Sequence, residues 1–565
     1  MKNKVDTEDL RNKDTIKKTS IEGKFTGPLI FYIVITVIGG TFATGWNIGE
    51  FNTPSQALKR FFNTTYTNRY NETITEETLT SLWSLANGLM PLGGAFGGLF
   101  TGVSVQKFGH IKSMLLINIL VLINVVLFVI SKPIKSYEIL IIGRVLTGFI
   151  SGFFCGVCPL YLSEIPPLNL RGFTGAINAL AMCIGNLVTN IFGLPILLGT
   201  DKLWPYLLGL IIIPAVVHFI GLPFCLESPK YLFITKNKPE EAKRALEKMR
   251  GYDNQALIEQ EISELEQEKE VKKNQKEISY LSLVKIPSLR RALVVSIILQ
   301  ASQQFSGIIV VIFYSAEIFT KIGLEETTWA LYASILIALV ETIMHGVCMF
   351  FIDSKGRRIL LLSGMIGMSA SCFVLAITRI FAESVSWFKI LAVVAAVVYI
   401  IFYSLGPGPI PLLVTAELFD TESRGKAVSI AVFLNWFFNF LVTITFPTID
   451  NAIKGYSFII YVFNKPSLDD SSQPLPEKCS IQCNFSFEEV SAEIVIRELK
   501  RLDINKSPGA DGVHSMLLRE CAESLSEVLS IIFTESINAR TLPDQWKDAH
   551  ITPIFKKAQK TDPSN

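Results

Sequence analysis

Apolar residues run along this chain in blocks too long for the elements of a soluble core. A helix needs about 20 such residues to cross a hydrocarbon layer of about 30 Å. Runs of that kind recur near residues 28–46, 82–103, 113–130, 138–162, 174–199, 204–225, 292–319, 329–352, 358–380, 387–415 and 426–447. The pattern predicts eleven membrane spans. A twelfth would begin at Gly455, yet its apolar run, GYSFIIYVF, stops at Asn464. Nine residues at 1.5 Å each reach about 14 Å, roughly half the layer, so the twelfth helix is expected to be truncated.

Between the sixth and seventh spans the pattern changes. Residues 227–291 include KPEEAKRALEKMRG and ALIEQEISELEQEKEVKK, in which apolar positions recur at helical spacing among mixed charges. Short amphipathic helices lying outside the membrane are predicted there. Composition fits the same reading: 50% of the 565 residues are hydrophobic and only 18% charged, which excludes an ordinary soluble protein. A net charge of +2 gives no reason to expect a nucleic-acid partner. The nine cysteines follow no disulfide or metal spacing, and Cys155 and Cys158, a C-x-x-C inside an apolar run, read as packing thiols. No metal, cofactor or enzymatic centre is expected.

Orientation follows from the excess of Lys and Arg on cytoplasmic segments. Lys2, Lys4, Arg11, Lys17, Lys18 and Lys24 place the polar N-terminus in the cytoplasm, and Lys107, Lys112, Arg171, Lys355, Arg357 and Arg358 then fall on the same side. The first outer segment, from Phe51 to Ser81, reads as a loop. It carries two glycosylation triplets, at Asn63 and Asn71.

A repeat divides the spans. Glu164 precedes Arg171-Gly172 by seven residues, and Glu417 precedes Arg424-Gly425 by the same spacing. KFGHIKS around Gly109 is echoed by DSKGRRIL around Gly356. Two parallel six-helix halves are the simplest source of such a pattern. Glu164, Arg171, Asp353, Arg357, Arg358, Glu417 and Arg424 would then form a charged gate on the cytoplasmic side, broken and remade as the halves rock about a site at mid-membrane.

These motifs, together with CLESPKYL (225–232), LQASQQFSGIIVVIFYS (299–315), DSKGRR (353–358), LGPGPIP (405–411) and LNWFFNF (434–440), resemble the facilitative glucose (hexose) transporters, sugar porters of the major facilitator superfamily. The likeness covers about residues 28–463. It implies an all-α integral membrane protein with the major facilitator fold and passive movement of a hexose across the plasma membrane. By that resemblance Gln303, Gln304 and Asn439 match positions that hydrogen-bond the sugar, Trp436 matches a cavity aromatic, and Arg144 joins the cytoplasmic gate. Asn47 stands where proton-coupled relatives carry an Asp, near the residue matching Arg144. Asn cannot exchange a proton near neutral pH, which implies uniport.

Several positions depart from the family. Ile309 replaces an Asn, Ala179 a Gln, Leu412 a Trp and Ser404 a Glu, so a different hexose such as fructose, or no transport, is also open. Glu341 replaces another sugar-binding Asn, with His345 one turn later on the same helical face. A neutral Glu341 holding a sugar hydroxyl, a local Glu-His pair, and pH-sensitive transport are three readings of it. The gate motif is weakened at Gly109-His110-Ile111-Lys112.

Beyond Asn464 the chain changes character. INKSPGADGVHSMLLRE (504–520) and LPDQWKDAHITPIFKK (542–557) resemble the fingers region of a reverse transcriptase from a non-LTR retrotransposon. That resemblance leaves the metal-binding carboxylates of the polymerase beyond the fragment. Asp469-Asp470 lies before it in a Pro- and Ser-rich linker, and Cys479 with Cys483 makes at most half a zinc site. The expected organisation is a cytoplasmic N-terminus (1–27), a six-helix bundle (28–226), a cytoplasmic linker (227–291), a second bundle with a truncated last helix (292–464) and a small soluble tail (465–565). The alternative to a carrier is a non-transporting, chimeric membrane protein.

Overall fold

The computed structural model describes residues 23–251, 254–274, 280–323, 327–351, 356–381, 387–419, 421–453, 457–458, 461 and 496. Among these, eleven helices are long and apolar enough to cross a membrane: α1 (Gly27–Gly49), α2 (Glu76–Phe108), α3 (His110–Ser131), α4 (Tyr137–Glu164), α5 (Leu168–Phe192), α6 (Trp204–Phe224), α7 (Pro287–Lys321), α8 (Thr328–Cys348), α9 (Arg357–Phe381), α10 (Trp387–Leu418) and α11 (Ser423–Ile453). They match the predicted spans in number and order, and the described residues contain no strand. The expected truncated twelfth helix, the 465–565 fragment with Asp469, Asp470, Cys479 and Cys483, and gate residue Asp353 lie outside the described residues, apart from isolated positions.

Two boundaries differ from expectation. The fifth apolar run extends to residue 199, but α5 ends at Phe192, where the Gly193 N–H bonds back to the Thr189 carbonyl at 2.9 Å and Pro195 follows. Proline has no N–H and cannot continue a helix. The segment between the first and second spans is not a loop over its whole length: Ser55–Tyr70 is helical and buries Ala57, Leu58 and Phe62. Asn63 lies on this helix with Thr65 of its triplet buried, whereas Asn71 sits exposed at the helix end in a left-handed conformation. Both acceptor asparagines are exposed, but only the Asn71 triplet is exposed throughout.

Four spans are interrupted, α6 among them, where Leu210 and Ile211 separate Trp204–Gly209 from Ile212–Gly221. In α1 the VIGGTF stretch, Val37–Phe42, forms a π turn. In α7 the helix stops at Phe305 and resumes at Ile308, with Gly307 at φ +91°. A side chain there would strain the backbone and meet the ring of Tyr461 at 2.9 Å. In α10 the GPGP run separates Trp387–Leu405 from Ile410–Leu418. Broken helices leave backbone groups without helical partners, tolerable at membrane depth only inside protein or along a cavity.

Within the first half, α2 and α4 pack backbone to backbone. A Cβ at Gly148 would lie 1.8 Å from the Met90 carbonyl oxygen, so only glycine permits this approach. The two halves meet where α2 runs against α11 and α5 against α8. The linker contains the amphipathic helices Pro239–Arg250 and Gln255–Asn274. The first buries Ala242, Ala245, Leu246 and Met249, and the buried Arg250 donates to the Ile165 carbonyl at 2.8 Å and to both Glu261 carboxylate oxygens at 2.9 Å. These bonds dock the linker on the first half.

Candidate functional site

The breaks in α7 and α10 face each other, and Gln303 joins them. Its Nε2 donates to the carbonyls of Pro407 and Gly408, both at 2.7 Å, while its Oε1 accepts from Asn435 Nδ2 at 2.6 Å. All of its hydrogen-bonding capacity is spent on the protein. Gln304, its neighbour, donates to Gln303 Oε1 at 3.4 Å and keeps a buried Oε1 that no protein group satisfies. Asn435 also donates to Gln300 Oε1 at 2.7 Å, leaving the buried Gln300 Nε2 without a partner. An orphan acceptor and an orphan donor thus lie on one helix one turn apart. A buried polar group left unpaired costs about 1–3 kcal/mol, so such atoms mark where a polar ligand gains most.

The other residues expected at the site surround this joint. Asn439 is buried, its Oδ1 accepting from Thr443 at 3.1 Å. Trp436 is half-buried, and its ring fills the space a Gly94 side chain would occupy, 2.7 Å from an added Cβ. That contact puts an aromatic of the second half directly on α2 of the first. Of the departures from the family, Ile309 and Ser404 are buried whereas Leu412 is exposed.

Glu341 reaches across the halves rather than along its own helix. Its carboxylate accepts from Asn186 Nδ2 of α5 at 3.3 Å, and Asn186 is held in turn by Asn190. His345 instead donates from Nδ1 to the Glu341 backbone carbonyl at 3.0 Å. Of the three readings of Glu341, the local Glu-His pair takes the form of a side-chain-to-backbone bond. Neither Asn186 nor Asn435 was among the sequence candidates, although a polar amide inside an apolar span is the signal that would have found both.

Arg144 does not belong to the charged gate. It lies twenty residues before Glu164 on α4, about 30 Å along the helix at 1.5 Å per residue, and so near the opposite membrane face. Fully buried, it donates from Nη1 to Glu50 Oε1 at 2.8 Å and to the Asn47 carbonyl at 3.0 Å, with its guanidinium 4.1 Å from the centre of the Phe51 ring. The Asn47 side chain turns to Ser151 at 3.0 Å. Asn47 and Arg144 are indeed neighbours, but the partner of the arginine is Glu50.

On this same face the halves are latched. Asn52 donates to Asn190 at 3.0 Å and to Ser315 at 2.9 Å, and accepts from the Ala316 N–H at 3.2 Å. Lys59 pairs with Glu317 at 2.8 Å, and Asn451 donates to Thr80 at 2.9 Å. Behind Glu317 the chain of charges continues through Lys321 to Asp450, which Arg379 also holds.

The gate residues lie on the opposite face, in two separate clusters. In the first half Ser228 donates to Glu164, and His110 Nε2 stands 3.5 Å from the same carboxylate. Glu227 accepts from His110 Nδ1 at 2.9 Å and from the backbone N–H groups of His110, Ile111 and Ser228 at 3.0 to 3.2 Å, capping α3. Burial alone would push its carboxyl up, but the imidazole and these donors hold it below the usual value of 4.5. In the second half Arg357 pairs with Glu417 at 3.3 Å and Arg424 donates to the Phe419 carbonyl at 3.2 Å. Arg171 and Arg358 are exposed. The α2–α11 contact runs from Thr80 against Asn451 as far as Gly98, where an added Cβ would sit 3.4 Å from Val432. A Cβ at Gly102, Gly172, Gly175 or Gly425, nearer the gate, would meet nothing within 4 Å. Hydrogen bonds and an ion pair join the halves at the Glu50–Arg144 face, and among the described residues the space around these glycines, toward Glu164 and Glu417, is open.

Comparison with known proteins agrees with this geometry. The model of the family described as sugar (and other) transporter matches residues 32–464. The chain is 39% identical over 438 residues to facilitated glucose transporter member 3 of solute carrier family 2 from Ovis aries, covering 78% of this chain and 87% of that protein. Its Homo sapiens counterpart is 37% identical over the same length. The partially occluded, inward-open xylose transporter XylE from E. coli superposes with a TM-score of 0.64 at 22% identity, over 78% of this chain and 97% of that one. A sugar-analogue-bound form of the same protein, described as a major facilitator superfamily proton:xylose symporter, gives 0.62. The fold is that of the major facilitators.

Proposed function

Because this chain belongs to the sugar (and other) transporter family, we propose that it moves a hexose across the plasma membrane by facilitated diffusion, with the N-terminus in the cytoplasm. It is a multi-pass membrane carrier, not an enzyme. The observation that carries the proposal is the joint of broken helices α7 and α10 at mid-membrane. There the orphan groups of Gln304 and Gln300 lie buried beside the two breaks, in a second half latched to the first at the Glu50–Arg144 face.

A hexose offers hydroxyls that both donate and accept, and its transfer into an apolar cavity requires a partner for each. Gln304 and Gln300 supply one acceptor and one donor, Asn439 adds an amide, and the Trp436 face packs on sugar C–H groups. Gln303 serves the site by fixing the two breaks. Arg357 with Glu417, and Glu164 with Ser228 and His110, form the cytoplasmic gate, with Arg171, Arg358 and Arg424 beside them; Asp353 joins them by its sequence motif alone. Arg144 and Glu50 belong to the outer end. Asn47, an amide bonded to Ser151, has no proton to exchange, which favours uniport over symport.

A second reading, a hexose other than glucose, is favoured by Glu341. It puts a carboxyl where the resembled family has an amide, and an acid bonded to Asn186 presents a different donor pattern to the cavity. Uptake of labelled glucose, fructose and galactose by the full chain in liposomes, with and without a pH gradient, tests both. Saturable uptake indifferent to the gradient is expected; no saturable uptake of any of the three would overturn hexose transport by this chain.

A further inference from the structure

Three side chains of different chemistry converge where the halves meet. The Cys183 sulfur on α5, the Glu341 carboxylate and a ring nitrogen of His345 on α8 present ligand atoms that all lie within 4.8 Å of one another. Cys183 and Glu341 are buried, and His345 is half-buried. We propose that these three residues form a binding site for a zinc-like divalent cation, with ligands drawn from both halves of the carrier.

The donor set argues for the class of metal. Thiolate, imidazole and carboxylate together suit Zn2+, whereas Ca2+ and Mg2+ take oxygen alone. The tautomer suits a metal ligand. A carbonyl can only accept, so the bond from His345 to the Glu341 backbone fixes the imidazole proton on Nδ1 and leaves the Nε2 lone pair free for a metal. Asn186 donates to one Glu341 oxygen, the kind of outer bond that orients a metal-ligating carboxylate. Metal–ligand distances of about 2.0–2.3 Å place neighbouring ligand atoms roughly 3.5 Å apart. Side-chain rotation of about an ångström therefore closes the cluster. Binding releases the Cys183 thiol proton to water, and three protein ligands leave a fourth position for water or a sugar hydroxyl.

The consequence is mechanical. Cys183 moves with the first half and Glu341 with His345 with the second, so one cation ties α5 to α8 and stabilises the conformation in which they touch. A carrier held in one conformation does not cycle, and the bound metal is a reversible brake.

Purified full chain titrated with Co2+, a spectroscopic stand-in for Zn2+, tests the site without needing transport. A near-ultraviolet thiolate-to-cobalt band saturating at one metal per chain is expected, with affinity falling at least about tenfold in Cys183→Ser and in His345→Gln, one ligand from each half. In liposomes Zn2+ should slow uptake by the unmodified chain and spare Cys183→Ser. No band from properly folded chain, or a band that either substitution leaves intact, would overturn the site. If the band appears but no hexose is taken up even without metal, the site stands and the carrier reading fails.

Discussion

Gln303 donates to the carbonyls of Pro407 and Gly408 at 2.7 Å each, tying the break in one span to the break in another. Its neighbour Gln304 holds a buried oxygen with no protein partner. In the proposed carrier, two adjacent glutamines of one motif divide the work between building the site and reading its ligand. Gln303→Leu would leave two buried carbonyls unsatisfied at about 1–3 kcal/mol each. A clear drop in thermal stability is expected, with transport lost alongside. Gln304→Leu removes an orphan acceptor and should leave the melting temperature unchanged or slightly higher while raising the KM for sugar about tenfold, the worth of one hydrogen bond. Melting curves and uptake kinetics on both variants check the division, and the reverse pattern would refute it.

The fully buried Glu50–Arg144 pair sets up a second contrast. Removing one member of such a pair leaves an uncompensated charge, costing about 3–5 kcal/mol, whereas replacing both with apolar groups can be close to neutral. Arg144→Met alone should therefore be badly destabilised, and Glu50→Leu with Arg144→Met should recover most of the loss. Thermal unfolding of the two variants decides it: equal stability of single and double would mean that the ion pair is not what holds this end together.

Much of this architecture is legible in the chain because lipid permits few backbone solutions. Runs of about 20 apolar residues give the spans, and the Glu-to-Arg spacing after the fourth and tenth gives the halves. Arg144 is not the gate residue the resemblance implied, because the helical rise alone puts it near the face opposite Glu164. The role of Gln303 was hidden because its partners are backbone carbonyls freed by the GPGP break some hundred residues later. Ser55–Tyr70 looked like a loop because its residues are mostly polar, and only the packing of Phe62 and Leu58 reveals why it is helical. Cys183 gave no metal signal because its co-ligands lie on another helix in the other half.

The latch at the Glu50–Arg144 face predicts a shift in population. Asn52 and Lys59 reach from the first half to Ser315, Ala316 and Glu317 of the second. Lys59→Ala with Asn52→Ala removes an ion pair and two hydrogen bonds between the halves that exist only while this face is closed, favouring the state open there. A Ser315→Cys reporter should then react several-fold faster with a membrane-impermeant thiol reagent added outside. Unchanged labelling would mean that the latch contributes nothing to the balance between states.

The cap at Glu227 predicts how the carrier responds to acid. Its carboxyl titrates below 4.5 in the folded chain because the His110 imidazole and the N–H groups of His110 and Ser228 outweigh its burial. A carboxyl with a folded value below its unfolded one contributes stability above the unfolded value, and that stability is lost as pH falls through the folded one. The unmodified chain should therefore lose thermal stability progressively below about pH 4.5. Glu227→Gln, which cannot titrate, should start from a lower melting temperature at pH 7 and fall less steeply over the acid range, so that the two curves converge. Because Glu227 caps α3 beside Glu164, the same variant should loosen the first-half gate cluster and lower the maximal uptake rate more than it changes the KM. Parallel melting curves for the two proteins between pH 7 and pH 3 would show that Glu227 is not the group responsible.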